Sequence, residues 1–478
     1  MREGKAATAD RVSFRVLMAY SALTLPMAAL GLPITVYLPP FYAEEIGLSL
    51  ATVGLVFTLA RIWDLFTDPV MGVVVDRVHS RWGRFRHWIV LAVPMLCVAT
   101  VFVYFPPRPE TPGEGVGPGY LLGWLLLLYV GYTLLNISHQ SWGTELATSY
   151  DERARLFGWR EVFVIAGMVG VLAIPALIEA GLGAGMGAVE LEFARIASMG
   201  WFMLILLPLT ALWIVLVVPE PRQARGGTKL SVKDSVQLLV RNRILRRLLA
   251  ADLFIGLGVG ITGSLYIFLA TYTFELRELA STALLAYFVA GFIAMPAWMR
   301  LAYRIGKHTA LGWAMAYGAI VQVGLYFAAA PGEIGLLLGF TVLYGFGFGA
   351  GPALTRALIA DASDDDELES GERRAGLFFA LLTTTNKVGG ALAVGVSYTV
   401  LEWAYGFIPG GDNSPEAIAG VLDVYIFGSV AAMGLAGLLM IGYPLDRRRH
   451  DEIRSALRQR ERAADVAADQ GGSTGPAA

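Results

Sequence analysis

Apolar residues dominate this chain in long uninterrupted blocks, parted by short polar or turn-forming breaks. About 20 mainly apolar residues are needed to carry an α-helix across a hydrocarbon layer about 30 Å thick. Twelve blocks meet that length: 14–40, 50–76, 88–105, 119–147, 157–181, 196–218, 247–274, 281–303, 309–329, 333–360, 376–402 and 420–445. The pattern predicts an all-α polytopic membrane protein of twelve spans.

The breaks alternate in charge. One set carries Arg77, Arg81, Arg84 and Arg86, then Arg153 and Arg155, a long basic run from Arg222 to Arg247, then Arg300, Arg304 and Lys307, Arg373 and Arg374, and Arg447 to Arg449. The other set holds only Arg108, Arg195 and Arg277, beside Glu44, Glu45, Glu190, Glu192 and other acids. Because Lys and Arg near span ends stay on the cytoplasmic side, both termini are expected in the cytoplasm. Strict alternation with the spans assigns these arginines to topology, and no nucleic-acid partner is expected.

Composition agrees: 56% of residues are hydrophobic, 16% charged, and the mean hydropathy is +0.58. No cleaved signal peptide is read ahead of the first span, which itself would direct insertion into the cell (inner) membrane. Cys97 is the sole cysteine, so an internal disulfide and any CxxC metal or redox site are excluded. The basic connection 219–246, with Pro219, Pro221, Gly226 and Gly227, reads as a linker between a six-span half at 1–218 and another at 247–445. Two halves around a cleft is a common plan for secondary transporters. The tail, 446–478, is expected to start as an Arg-rich helix and end disordered.

The second span carries the chemistry. In ARIWDLFTDP, residues 60–69, ionisable Arg61, Asp64 and Asp68 interrupt an apolar run. At about 100° per residue they share one stripe of the helix with Gly72 and Asp76. A charge at mid-bilayer costs about 2.5–3.5 kcal/mol even on the lenient scale, so such residues face a bundle interior and mark ion or solute paths. Two carboxylates one turn apart cannot both stay ionised without a cation or a proton. Arg61 offers the bland alternative, a buried triad that only locks helices. Pro69 argues for the sharper one, since it frees the Leu65 carbonyl beside the acids. Carboxylate and carbonyl oxygens suit a hard cation such as sodium. Lys387, deep in the eleventh span among Thr383, Thr384, Thr385 and Asn386, is read as a cavity lysine bridging to the acidic pair.

These residues resemble a family. ARIWDLFTDPVMGVVVDRVHSRWGRFRHW is similar to the second-span signature of the glycoside-pentoside-hexuronide:cation symporters, the melibiose permease-like branch of the major facilitator superfamily. GLS at 47–49, YT at 132–133, the acidic ADASDDDELESGERRAG at 360–376 and NKVGG at 386–390 follow in order. The resemblance implies two six-helix bundles and cation-coupled transport by alternating access. It implies that Asp64, Asp68, Thr67 and Thr133 hold the cation, that Lys387 couples the bundles, and that Arg160 lies near the sugar. The family's two sugar-binding aspartates are missing: the first span reads TLPMAALG, and the fourth has Asn136.

Further along the fourth span, Asn136, Gln140 and Trp142 are candidates for hydrogen bonding and stacking on a sugar, with interhelical hydrogen bonds as the plain alternative, and Asn386 of the eleventh span is a further solute-binding candidate. Asp76, Arg77, Arg84, Glu145, Asp361 and Arg373 are candidates for a cytoplasmic gate. The DDDE run at 364–367 is expected to be mostly solvated, since its four acids cannot all be paired. Glycine runs at 256–263 and 345–351 lack the strand and GK[ST] of a nucleotide cradle and are read as flexible cleft walls. No enzyme motif is found. The expected function is sodium- or proton-coupled symport of a sugar, glycoside or related small solute by a monomer in the lipid bilayer. The alternatives are a sodium-dependent lysolipid transporter and a non-transporting solute sensor.

Overall fold

Each apolar block becomes a helix, and capping chemistry sets several of the starts. The hydroxyls of Ser13, Ser49 and Ser414 and the amide oxygen of Asn242 accept the exposed N–H groups of Val16, Thr52, Ala417 and Leu245. The structure is a computed structural model that describes residues 12–78, 80–108, 115–147, 150–183, 185–220, 241–372 and 374–471. Most of the expected central linker, Arg373 and the end of the tail lie outside the described residues, as do the side chains of Asp76 and Arg77.

Among the described residues, twelve helices are long and apolar enough to cross a membrane. They are α1 (Phe14–Val36), α2 (Leu50–Val75), α3 (Arg86–Tyr104), α4 (Pro118–Leu146), α5 (Arg155–Gly181), α6 (Val189–Val217), α7 (Arg243–Thr273), α8 (Arg277–Ile305), α9 (Lys307–Ala328), α10 (Ile334–Ser370), α11 (Ala375–Tyr405) and α12 (Pro415–Met440). A further helix, α13 (Arg447–Gly471), follows. The protein is a multi-pass membrane protein built as two six-helix bundles, which meet where α2 packs on α11 and α5 on α8.

The acidic segment differs from its reading as loop charge. It extends α10 to Ser370, where Gly371 closes the helix at φ +75°. Asp364, Asp365 and Asp366 each find a cation, in Arg454 (3.4 Å), Arg449 (3.4 Å) and Arg374 (3.1 Å). The expectation of mostly unpaired acids fails because α13 supplies Arg449 and Arg454 from the tail, a contact that no local pattern reveals, and Arg374 folds back from the start of α11.

α2 shows why buried charge is tolerated. Leu55, Leu59, Ile62, Phe66, Val70 and Val73 are exposed on one side at three- and four-residue spacing, as a lipid-facing stripe requires. Asp64, on the opposite side, is 0% exposed. The helix runs unbroken through Pro69. Against α11 it crosses at two glycines: a Cβ on Gly54 would lie 3.2 Å from the Cα of Gly395, and one on Gly395 would lie 2.5 Å from Thr58 Oγ1. Only glycine permits that approach. Thr58 then donates to the Ala391 carbonyl (3.1 Å), and Glu402 accepts the Ala51 N–H (2.6 Å) at the first turn of α2.

Candidate cation and solute site

α2, α4 and α11 bring Asp64, Asp68, Thr133 and Lys387 to one point at the junction of the halves. The Lys387 ammonium donates to Asp68 Oδ2 at 2.6 Å and lies 2.8 Å from Asp64 Oδ2 as an ion pair. Thr133 Oγ1 stands 2.8 Å from Asp64 Oδ1 and 2.8 Å from Asp68 Oδ1. Arg61 is more distant, 4.0 Å from Asp64, with its guanidinium 4.9 Å from the centre of the Tyr129 ring. Thr67 points its hydroxyl back at the Asp64 carbonyl (3.1 Å).

Hydrogen-bond bookkeeping makes this cluster informative. A threonine hydroxyl has a single proton. It cannot donate to both carboxylates, so one of the two 2.8 Å contacts sets oxygen lone pairs against each other while both acids are ionised. A proton on one carboxylate or a cation between the oxygens removes that conflict.

The other sequence candidates are dispersed. Asn386 lies on a cavity wall. Asn136 accepts a hydrogen bond from Gln140 at 2.8 Å along α4. Trp142 is fully buried and donates to the Pro219 carbonyl (3.0 Å) while stacking on Phe85, so its ring is not available to a solute in this conformation. Arg160 pairs with Glu161 (3.0 Å), which in turn reaches Arg356 of the other half at 4.0 Å. Arg84 pairs with Glu145 (2.6 Å) within the amino-terminal half. Asp361 is held by Lys307 (2.7 Å) and His450 (3.1 Å) within the carboxyl-terminal half.

One cavity adjoins the cluster, and a second adjoins the first. The larger, about 450 Å³, is lined by Arg61 and Lys387 together with Asp252, Arg356, Thr383 and Asn386. The smaller, about 270 Å³, is mainly apolar and aromatic. They share Thr35, Val259, Tyr287, Tyr344 and Phe348 as walls. Asp252 was passed over in the sequence because the glycines that follow it drew the reading, yet it is the one acid between the ends of its span.

An ionic seal on the Arg-poor face was also passed over. Arg277 at the start of α8 contacts Glu44 (2.6 Å), Glu192 (2.8 Å) and Glu45 (3.5 Å). Arg195 pairs with Glu192 and with Glu179 (3.2 Å), and Glu179 accepts the Ser281 and Thr282 N–H groups at 2.9 Å. Tyr37 donates to Ser281 (3.0 Å). Glutamates of one half thus hold the first turn of α8 in the other. The signal was present: two of the three arginines on a face otherwise acidic. Burial raises the Glu44 carboxyl above its usual range and pushes Glu45 up to about 7, against the opposing pull of Arg277.

Comparison with known proteins agrees with this architecture. Residues 19–447 match the MFS/sugar transport protein family. The chain is 25% identical to the isoprimeverose transporter of Lactiplantibacillus pentosus, over 87% of this chain and 85% of that one. It is 25% identical to the putative glycoside/cation symporter YagG of Escherichia coli, covering 77% of each. It is 24% identical to the human sodium-dependent lysophosphatidylcholine symporter 1, over 84% of this chain and 78% of that one. Among solved structures, the nucleoside transporter NupG superposes with a TM-score of 0.66 at 14% identity, covering 91% of this chain and all of that one, which speaks for the fold.

Proposed function

This chain belongs to the MFS/sugar transport protein family, and from that premise we propose that it is a symporter that couples sodium or a proton to the movement of a sugar or glycoside. The observation that carries the reading is the shared Thr133 contact, where one hydroxyl proton serves two carboxylate oxygens and a proton or cation between them satisfies both. Sodium suits such hard oxygens. Asp64 and Asp68 supply the carboxylates, with Thr133 and Thr67 at the same level of the bundle.

Charge balance suggests the coupling. Asp64 and Asp68 are matched by Lys387 and Arg61, so an arriving cation competes with the lysine for the same oxygens. Lys387 also lines the solute cavity, and cation entry frees its ammonium toward that cavity. Solute and cation therefore meet through one side chain. The Arg-rich face is cytoplasmic and both termini are inside the cell membrane, by the positive-inside rule. The larger cavity is lined by residues between 252 and 260 of α7, 344 and 356 of α10, and 382 and 390 of α11, while the seal joins the two halves on the Arg-poor face. The halves 1–218 and 247–445 rock about the site, and each copy carries a complete site, so a monomer suffices.

The apolar cavity keeps a second reading in play, a lysolipid cargo, which the human relative's name also suggests. Calorimetric titration of sodium into the purified protein tests the main reading. Saturable heat in the wild type, lost in both Asp64→Asn and Asp68→Asn, is expected. If the wild type gives no heat at several pH values and a proton gradient drives no uptake, the cluster is a structural triad and the symport reading is rejected.

A further inference from the structure

The missing sugar acids of the amino-terminal half raise the question of what else in the cleft can hold hydroxyls. Asp252 on α7 is 3% exposed, yet its carboxylate forms part of the wall of the larger cavity. It accepts hydrogen bonds from the side chains of Thr385 (3.2 Å) and Asn386 and feels the charge of Arg356, and among the described residues it enters no direct ion pair. A carboxylate has about four lone-pair sites, so one that is buried with two donors and no cation in direct contact keeps acceptor capacity to spare. A polyhydroxylated solute is a source of such donors, because a carboxylate accepts two hydroxyls at once. Across the same cavity, Asn386 and Thr383 from α11 and Arg356 from α10 offer both donors and acceptors.

Beyond this polar chamber lies the aromatic one. Tyr287 sits 5.4 Å from Phe348 and 5.7 Å from Tyr344 between ring centres, and Phe340 stacks on Tyr344 at 5.6 Å. Its volume, about 270 Å³, exceeds the roughly 150 Å³ that admits a benzene molecule in an apolar cavity. Tyr287, Tyr344 and Phe348 belong to both chambers, so one molecule can occupy the two.

We infer that the solute binds in the carboxyl-terminal half, with Asp252 accepting its hydroxyls and the Tyr287–Tyr344–Phe348 chamber receiving an apolar substituent. The inference rests on the symport reading only for the act of transport; binding stands apart from coupling. It makes the preferred cargo a hydroxyl-rich head group bearing an aryl or short alkyl group, in place of a free sugar. It also puts cation and solute on opposite sides of Lys387, the cation among α2 and α4, the solute among α7 and α10.

The test is equilibrium binding to the purified full-length protein, with 4-nitrophenyl β-glucoside, β-galactoside, β-xyloside and β-glucuronide set against the four free sugars. At least one aryl glycoside should bind ten times or more tighter than its parent sugar. Phe340→Ala, which alters the aromatic chamber alone, should remove that advantage while leaving the free sugar's affinity unchanged. Asp252→Asn should weaken head-group binding at least tenfold while its sodium heat and melting temperature stay those of the wild type. Asp252→Glu, which keeps the carboxylate, should restore part of the affinity. Equal binding of aryl and free sugars, unchanged binding in Asp252→Asn, no binding by any of the eight compounds, or binding of lysophosphatidylcholine alone would each overturn the assignment. If the glycosides bind as expected but no cation gradient drives uptake, the symport reading fails and the site stands.

Discussion

Replacing Lys387 by glutamine gives the sharpest test of competition between lysine and cation. The ammonium lies 2.6 and 2.8 Å from the two acids. At an effective permittivity of about 20 each contact is worth about 6 kcal/mol of Coulomb attraction. Desolvation of three charged groups, several kcal/mol per ion, offsets most of that. What remains after the substitution is a pair of carboxylates that both touch the Thr133 hydroxyl, with facing oxygens no more than about 6 Å apart. At the same permittivity they repel by about 3 kcal/mol. A sodium ion or a proton relieves this repulsion, and no ammonium has to be displaced first. Lys387→Gln should therefore bind the cation at least tenfold more tightly, a gain of about 1.4 kcal/mol or more, and should fail to transport. Sodium calorimetry supplies the affinity, pH-dependent tryptophan fluorescence follows proton uptake, and a melting curve checks the fold. A sodium affinity and proton uptake both within twofold of the wild type, in a folded variant, would refute the competition and move the cation elsewhere.

Two further outcomes are expected. Arg277→Gln removes the contacts to Glu44 and Glu192 that hold the Arg-poor face shut, and breaking such a pair costs about 3–5 kcal/mol, nearer the lower end for a side chain 25% exposed. Its Thr35→Cys, Cys97→Ala derivative should label with an impermeant maleimide from that face at least ten times faster than the same pair of substitutions alone, and equal rates would show that the cluster is not a seal. The seal should also respond to pH: Glu45 titrates near 7 when the face is closed and in the ordinary carboxylate range when it is open. The closed state binds the extra proton, so its advantage is complete below the ordinary range, declines as pH rises toward 7, and is lost above it. Labelling of the same cysteine should rise over that window, and Glu45→Gln should flatten the profile; a flat profile in the parent would reject the assignment.

How much of this could be read from residues alone depends on the length scale of each cause. The spans were legible because burial in lipid acts on every residue of a block, and Asp64, Asp68 and Lys387 stood out because charge is rare there. The meeting of Lys387 with both acids was anticipated from polarity and is present at hydrogen-bond distance. Trp142 was less legible: an aromatic ring near polar neighbours looks like a sugar platform, but its N–H is spent on the Pro219 carbonyl, a partner 77 positions away. Asp364 and Asp365 of α10 were paired by the tail, and the glutamates of the Arg-poor face by Arg277 across the two halves. Asp252 was hidden by its own context, since an acid near a span end is usually assigned to the water.

The crossing of α2 and α11 at Gly54 and Gly395 behaves mechanically as a fulcrum. Backbone meets backbone there, with only Thr58 and Tyr398 at its edges, so a tilt of one helix over the other unpacks few side chains. Asp64 lies ten residues along α2 from that point, an arm of about 15 Å, and Lys387 lies eight residues along α11, about 12 Å. A tilt of only about 10° then carries these groups apart by roughly 2–3 Å, which is enough to part an ammonium from a carboxylate. The glycine crossing sets the gain of the device. Under the proposed symport, occupancy of the Asp64–Asp68 pocket, by lysine or by ion, would work as a latch on the long end of the lever, so that a small ligand governs a motion of half the molecule.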